Sequence, residues 1–185
     1  MNEFATIIIP TFKRQKLFLR CLYSLARQDY EKEKYEVIVI YDDLDCDYDE
    51  EKINSIAAQL KNFRFEKIPH GGVSRARNYG IVLARGEFIL MLDDDCEAKR
   101  DWVKAFIIYM KQHPEVVAAG GTVLSASPKT FIQRYIDFKC LLRKPVRTNN
   151  EEIIAVITAN ACFRKDAIEK VGGFREKLSY SGGED

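Results

Sequence analysis

Short apolar runs separated by amphipathic stretches fill the first two-thirds of the chain, and few folds accommodate that rhythm. FATIIIP (Phe4 to Pro10) is short, rich in β-branched residues and stopped by proline, as a buried strand requires. YEVIVIY (Tyr35 to Tyr41), FRFEKI (Phe63 to Ile68), FILML (Phe88 to Leu92) and VVAAGG (Val116 to Gly121) read as four more strands. Between them, Leu17, Cys21, Leu22 and Leu25 recur at helical spacing within Lys16 to Gln28. So do Ile53, Ile56, Ala57 and Leu60 within Glu50 to Leu60. Further helices are predicted over Ser74 to Ala84, after the loop HGG, and from Asp101 to just before His113-Pro114, with Val103, Phe106, Ile107 and Met110 on one face. Strands alternating with helices in this way predict an α/β fold with a mostly parallel sheet and flanking helices. Ligands of such sheets sit beyond the carboxyl ends of the strands. Two of those ends, after Tyr41 and after Leu92, run straight into carboxylates.

Beyond Thr122 the pattern weakens. One helix is predicted from Lys129 to about Leu142, then a basic polar loop carrying Arg143, Lys144 and Arg147. IIAVITANACFRK returns to strand-like sequence, and DAIEKVGGF gives a short helix closed by Gly172 and Gly173. A chain of 185 residues has room for one domain with a proper core. A formal net charge of +1 provides no global basic field of the kind that gathers nucleic acid. Cys21, Cys46, Cys96, Cys140 and Cys162 are scattered with no CxxC pair, which argues against a zinc site or a disulfide framework and for a reduced setting. No apolar run approaches the roughly 18 residues that span a bilayer.

The chemistry concentrates in GEFILMLDDDCEAKRDWV. Three consecutive carboxylates, Asp93, Asp94 and Asp95, follow an apolar strand and need a positive partner. Adjacent strand residues point to opposite faces, so Asp93 and Asp95 share a side and Asp94 faces away. Two oxygen ligands on one side suit Mg²⁺ or Mn²⁺, which bind through one or two carboxylates plus substrate phosphates. A D-x-D alone is common, and a solvated acidic turn opening the next helix accounts for it equally well. GGVSRARNYG adds Arg75 and Arg77 at the start of a helix behind a glycine pair, and helix N-termini and guanidinium forks both favour phosphate. Asp42, after the second strand, could accept a hydrogen bond from a nucleobase imide N–H, and a plain strand-terminating turn accounts for it as well. Acids for a metal and bases for phosphate together describe a nucleoside-diphosphate site. Trp102 opens an amphipathic helix and reads as core rather than as a sugar platform. His70 and His113 read as a loop residue and a helix-end residue.

IIIPTFKRQKLFLRCLYSL, YEVIVIYDDLDCD, GGVSRARNYGIVLARGEFILMLDDDCEAKRDWV, TANACFRKDAIEKVGGFREKL and the final GGED, in that order, resemble the family-2-type inverting glycosyltransferases of GT-A fold. The resemblance covers essentially the whole chain. It implies an enzyme that moves a sugar from a nucleoside-diphosphate sugar, usually a uridine diphosphate sugar, to an acceptor hydroxyl, with Mn²⁺ or Mg²⁺ bridging the diphosphate. Under it Pro10, Thr11, Phe12 and Arg14 form part of the nucleotide pocket and Asp42 pairs with the base. Arg77 lies near the nucleotide, and Asp93 faces ribose or metal. Asp95 binds metal, and Asp94 can replace either neighbour. Asp185 is the implied catalytic base, with Glu184 beside it. An ordinary Asp, with a pKa of about 3.9, is ionised at neutral pH and can take a proton late in the transition state.

The resemblance also divides residues 1–185 into a nucleotide-sugar-binding half, 1–121, and the beginning of an acceptor-binding half, 122–185. Family members usually continue past the position of Asp185, so the chain reads as an N-terminal catalytic part. The implied acceptor is a glycan, a lipid-linked sugar or another hydroxyl compound. The implied location is the cytoplasm or the inner face of its membrane, with peripheral contact made by a further C-terminal region. Two departures stand out: Tyr41 occupies the position of the first of the usual two acids, and Leu44 and Asp45 replace the usual small turn residues. A phosphatase that places D-x-D after a strand would need Thr or Val where Glu97 stands. A sugar-nucleotide pyrophosphorylase would need a glycine-rich loop where Pro10-Thr11-Phe12-Lys13-Arg14 stands. A non-catalytic nucleotide-sugar-binding domain is the alternative from another class.

Overall fold

The computed structural model describes residues 3–45, 48–124, 130–132, 134–135, 146–147 and 153–177. The strands are β1 (Ala5–Thr11), β2 (Tyr35–Tyr41), β3 (Phe63–Lys67), β4 (Phe88–Leu92), β5 (Ala118–Gly120), β6 (Val146–Arg147), β7 (Ile153–Ala155) and β8 (Asn160–Arg164). The helices are α1 (Gln15–Ala26), α2 (Glu50–Ala57), α3 (Val73–Leu83), α4 (Trp102–Gln112) and α5 (Lys165–Lys170). β1 to β5 and β8 form a six-stranded sheet in the order β3-β2-β1-β4-β8-β5, while β6 and β7 pair separately. β1 runs parallel to β2 and β4, and β2 to β3; β8 alone in the sheet is antiparallel to its neighbours, β4 and β5. The mixed sheet is the mostly parallel one expected.

Period-2 alternation sends successive strand residues to two buried faces. Ala5, Ile7 and Ile9 of β1, with Val37, Val39, Leu90 and Leu92, pack against Phe18, Leu22 and Leu25 of α1 and Trp102, Phe106 and Met110 of α4. Ile8, Ile89 and Met91 turn the other way, onto Ile81 of α3 and Ile168 of α5. Gly80 lets α3 approach this closely, because a Cβ there would meet Ile8 Cγ2 at 2.6 Å. Both faces being covered explains why β1, β2 and β4 are almost continuously apolar rather than alternating.

Boundaries shift in instructive ways. α1 ends at Ala26 rather than Gln28. The Gln28 amide instead donates to Ser24 O (3.1 Å) and Lys99 O (2.8 Å) and accepts from Val103 N–H (3.1 Å), tying the end of α1 to the start of α4. β5 shrinks to three residues at the sheet edge. Of the helix predicted over residues 129–142, residues 131, 132, 134 and 135 are helical, and its remainder lies largely outside the described residues.

The amino-terminal edge of the sheet is closed by one buried acid. Glu36 of β2, 1% exposed, accepts from Thr6 Oγ1 (2.8 Å), the Arg85 backbone N–H (2.8 Å), Arg85 Nε (2.9 Å) and Arg64 Nη2 (3.2 Å). Burial pushes its carboxyl up, but the Arg85 N–H, the Thr6 hydroxyl and the Arg85 guanidinium outweigh burial and hold it below the ordinary carboxylate value. The opposite, carboxyl-terminal edge is open.

Candidate nucleotide-sugar site

In the strand order, β1 connects forward to β2 on one side and has β4 on the other, so the chain reverses direction there and leaves a crevice above the carboxyl ends. A cavity of about 240 Å³ occupies that place, lined by Pro10, Thr11, Phe12, Arg14, Asp42, Val73, Ala76, Arg77, Asp93 and Asp94. The residues come from the ends of β1, β2 and β4 and from the first turns of α3.

β1 ends at Thr11, which is 3% exposed and donates to Asp94 Oδ2 at 2.7 Å. Thr11 also shares a hydrogen bond with Tyr48 Oη at 3.2 Å. Lys13 then takes a φ of 54°, a left-handed conformation rare outside glycine, and this sharp turn launches α1. The Phe12 ring stacks on His70 with centroids 4.6 Å apart.

Asp42, 4% exposed, directly follows the end of β2 at Tyr41. Its two carboxylate oxygens accept from the Gly71 and Gly72 backbone N–H groups at 2.8 Å each, and His70 Nδ1 lies 2.9 Å from Oδ2. His70 is therefore a loop residue with a definite partner, and His113 is the helix-end residue expected, at the C-cap of α4. The same geometry accounts for the glycine pair. Gly72 has a φ of 91° and caps α3, so it turns two amides onto Asp42 while opening the helix. Asp42 has four lone-pair directions and keeps capacity for a ligand donor.

Of the two arginines that α3 carries, Arg77 is 4% exposed and reaches the cavity, donating from Nη2 to Asp93 Oδ1 at 3.2 Å. Arg75 is exposed and folds back over Gly71. Positions two apart on a helix do not share a face, which separates them.

The triplet departs from simple alternation. β4 stops at Leu92, and a turn closed by Cys96 N–H to Asp93 O (3.0 Å) follows. Pleat geometry no longer applies, so Asp93 and Asp94 both line the cavity, whereas the alternation rule sets Asp94 apart. Asp94 is the most buried of the three at 5%. Asp95 is exposed and is not among the lining residues; its Oδ2 accepts from Arg14 Nη1 at 3.2 Å, and the same nitrogen lies 3.6 Å from Asp94 Oδ1. Burial pushes the Asp93 carboxyl up against the pull of Arg77, and pushes Asp94 up against the Thr11 hydrogen bond and Arg14. Two partly desolvated carboxylates beside an open cleft make a setting that an arriving cation stabilises. No group of three or more metal-ligating side chains converges among the described residues. A Mg²⁺ or Mn²⁺ that takes its other ligands from a diphosphate requires only one or two carboxylates, so the donor set fits.

Trp102 is core: 8% exposed, edge-on to Phe106, with its indole N–H donating to Asn160 Oδ1 at 2.8 Å. Cys21 and Cys162 are buried free thiols, and Cys96 is half-buried beside the triplet. Cys46, Cys140, Glu184 and Asp185 lie outside the described residues. No described helix is long and apolar enough to cross a membrane.

The family model for glycosyl transferase family 2 matches residues 6–172, which is nearly the whole described chain. The chain belongs to that family. A curated family relative, a glucosyl-dolichyl phosphate glucuronosyltransferase of Haloferax volcanii, is 23% identical over 183 residues, covering 96% of this chain and 58% of its own length. Staphylococcus aureus TarS 1-349, solved in complex with UDP-GlcNAc, superposes with a TM-score of 0.76 at 20% identity, over 96% of this chain and 50% of that one. The mannosyltransferase PcManGT of Pyrobaculum calidifontis, solved with GDP-Man and Mn²⁺, gives 0.73 at 22% identity, over 98% and 49%. These likenesses establish the GT-A fold. The chain thus spans about half to three-fifths of the length of these similar proteins.

Proposed function

We propose that the chain forms the donor-binding part of a glycosyltransferase that moves a sugar from a nucleoside-diphosphate sugar, first of all a uridine diphosphate sugar, to an acceptor hydroxyl with inversion. The observation carrying this reading is the meeting of Asp42, Arg77, Asp93 and Asp94 in one cleft at the strand switch point. Asp42 accepts from the base, with the Phe12 ring alongside. Arg77 and Arg14 bring positive charge to the diphosphate. Asp93 would hold Mn²⁺ or Mg²⁺ together with Asp95, which would have to leave Arg14 and turn towards the cleft, and Asp94 is the buried carboxylate already in the lining and able to replace either. Held there, a divalent ion would supply positive charge against the charge that grows on the leaving diphosphate. Asp185, with Glu184 as its neighbour, takes the proton from the acceptor hydroxyl as that oxygen bonds to the anomeric carbon. The bond from that carbon to the diphosphate oxygen breaks on the opposite face, and the configuration inverts. The acceptor is a glycan, a lipid-linked sugar or another hydroxyl compound, and a lipid-linked one agrees with the dolichyl-phosphate relative.

Calorimetric titration with uridine diphosphate, with and without Mn²⁺ and with guanosine diphosphate as comparator, tests the donor half. Binding should require the metal and fall at least tenfold in Asp93→Ala. Metal-independent binding, unaltered in both Asp93→Ala and Asp95→Ala, would refute the metal assignment. For the chemistry, Asp185→Asn should abolish transfer and leave nucleotide binding intact. Surviving transfer would move the base to Glu184 or elsewhere.

A further inference from the structure

α5 ends in a turn built by two left-handed glycines, Gly172 (φ 82°) and Gly173 (φ 73°). Gly173 N–H bonds to Ile168 O and Gly172 N–H to Glu169 O, both at 3.0 Å, the paired bonds of a Schellman cap. This cap drops Phe174 onto α3, where Asn78 takes both of its backbone groups. Asn78 Oδ1 accepts from Phe174 N–H at 2.8 Å, and Asn78 Nδ2 donates to Phe174 O at 2.9 Å and to Glu176 Oε1 at 2.8 Å. A Cβ at position 173 would meet Asn78 Oδ1 at 2.5 Å, so glycine is required there for proximity as well as for φ. The Phe174 ring, 8% exposed, stands edge-on to Phe163 and lies 5.5 Å from the guanidinium carbon of Arg77. Arg77 in turn donates to Asp93 in the cleft.

We infer that Phe174, locked in place by Asn78, is a positioning residue that fixes the direction of the Arg77 guanidinium at the cleft. A long, flexible side chain aimed at a phosphate binds better when its ordering has been completed before the ligand arrives. The aromatic face provides that ordering from behind, and Asp93 provides it from the front. Two neighbouring residues of α3 thus act together, Arg77 entering the cleft and Asn78 holding the turn that supports it. What Arg77 binds rests on the donor-site reading above.

Two readouts on the full chain separate the claims. The first is the Arg77 side-chain N–H resonance without nucleotide, assigned by its loss in Arg77→Lys. Phe174→Leu keeps apolar volume but has no ring face, and should move and broaden that resonance; Phe174→Tyr should preserve it. The second is the dissociation constant for uridine diphosphate with Mn²⁺. It should rise roughly 3- to 30-fold in Phe174→Leu, the range of a cation–π contact from exposed to desolvated, and stay near wild type in Phe174→Tyr. Asn78→Asp, which keeps an acceptor for Phe174 N–H but sets an oxygen against Phe174 O and Glu176, should follow Phe174→Leu. An unchanged Arg77 resonance in Phe174→Leu, or an unchanged nucleotide affinity in that variant when the wild type binds, overturns the inference. A wild type that binds no nucleotide while its Arg77 resonance responds to Phe174→Leu overturns the donor reading and supports the positioning role.

Discussion

Asp94 is a carboxylate whose burial in the cleft works against its charge. It is buried beside Asp93, and among the described residues the Thr11 hydroxyl and a half-exposed Arg14 favour its charge. Burial wins, and the carboxyl is held above its ordinary value of 3.8. A group raised in the folded state favours folding below its ordinary pKa, and that contribution is lost as pH rises through the folded value. Towards neutral pH the Asp94 carboxyl therefore works against the fold. Asp94→Asn removes the charge and can still accept from Thr11. The expected result is a higher thermal midpoint than wild type at neutral pH, with the advantage shrinking as pH falls towards 3.8. Midpoints across a pH series check this, and a variant less stable than wild type at neutral pH would refute it.

At the scale of elements, the sheet has two unlike ends. The amino-terminal end is closed by Glu36, which joins β1, β2, β3 and the segment before β4 through Thr6, Arg64 and Arg85. Its carboxyl is held below the ordinary value of 4.5, so its contribution is present above 4.5 and is lost as pH falls through the lowered value. Glu36→Gln leaves two guanidinium groups without their carboxylate and should cost about 3 kcal/mol. It should also flatten the acid limb of the urea midpoint against pH; an unchanged acid limb would mean that other carboxylates set it. This network was not legible in the sequence. Glu36 reads there as one polar letter in an apolar run, because its partners come from positions far apart in the chain. The strands and helices up to β5 were legible, since both sheet faces are covered and the periodicities are strong, but β6 was not, because Val146 and Arg147 fall in a stretch that reads as a basic polar loop. The triplet's orientation was not, because it depends on a turn that begins one residue after the strand ends. Asp42, Arg77 and Asp93, singled out in the sequence, do come together in one cleft. The clamp of Asn78 on Phe174 could not be read there, since it depends on two glycines and a helix reversal that bring distant residues together.

At the scale of the molecule, these two ends make folding stability and ligand binding separable. Glu36 and the cleft lie at opposite ends of a strand of seven residues, a span of about 20 Å, and effects of changes that far apart add nearly independently. Uridine diphosphate with Mn²⁺ at 100 times its dissociation constant should stabilise the folded chain by about 2.7 kcal/mol. For a chain of this size that corresponds to a rise in midpoint of roughly 5–10 °C. Glu36→Gln should start from a lower midpoint and show the same rise, because β1, β2 and β4 still present their carboxyl ends unchanged. Asp93→Asn should show little or no rise from its own starting midpoint, because the cleft has lost the carboxylate that faces Arg77 and that the proposed metal site requires. Scanning calorimetry on the three proteins with nucleotide, metal, both and neither resolves the two effects. If Glu36→Gln also lost the rise, the closed end of the sheet would be setting the geometry of the open one. The strands would then transmit strain along their length rather than serve as a fixed frame for the site.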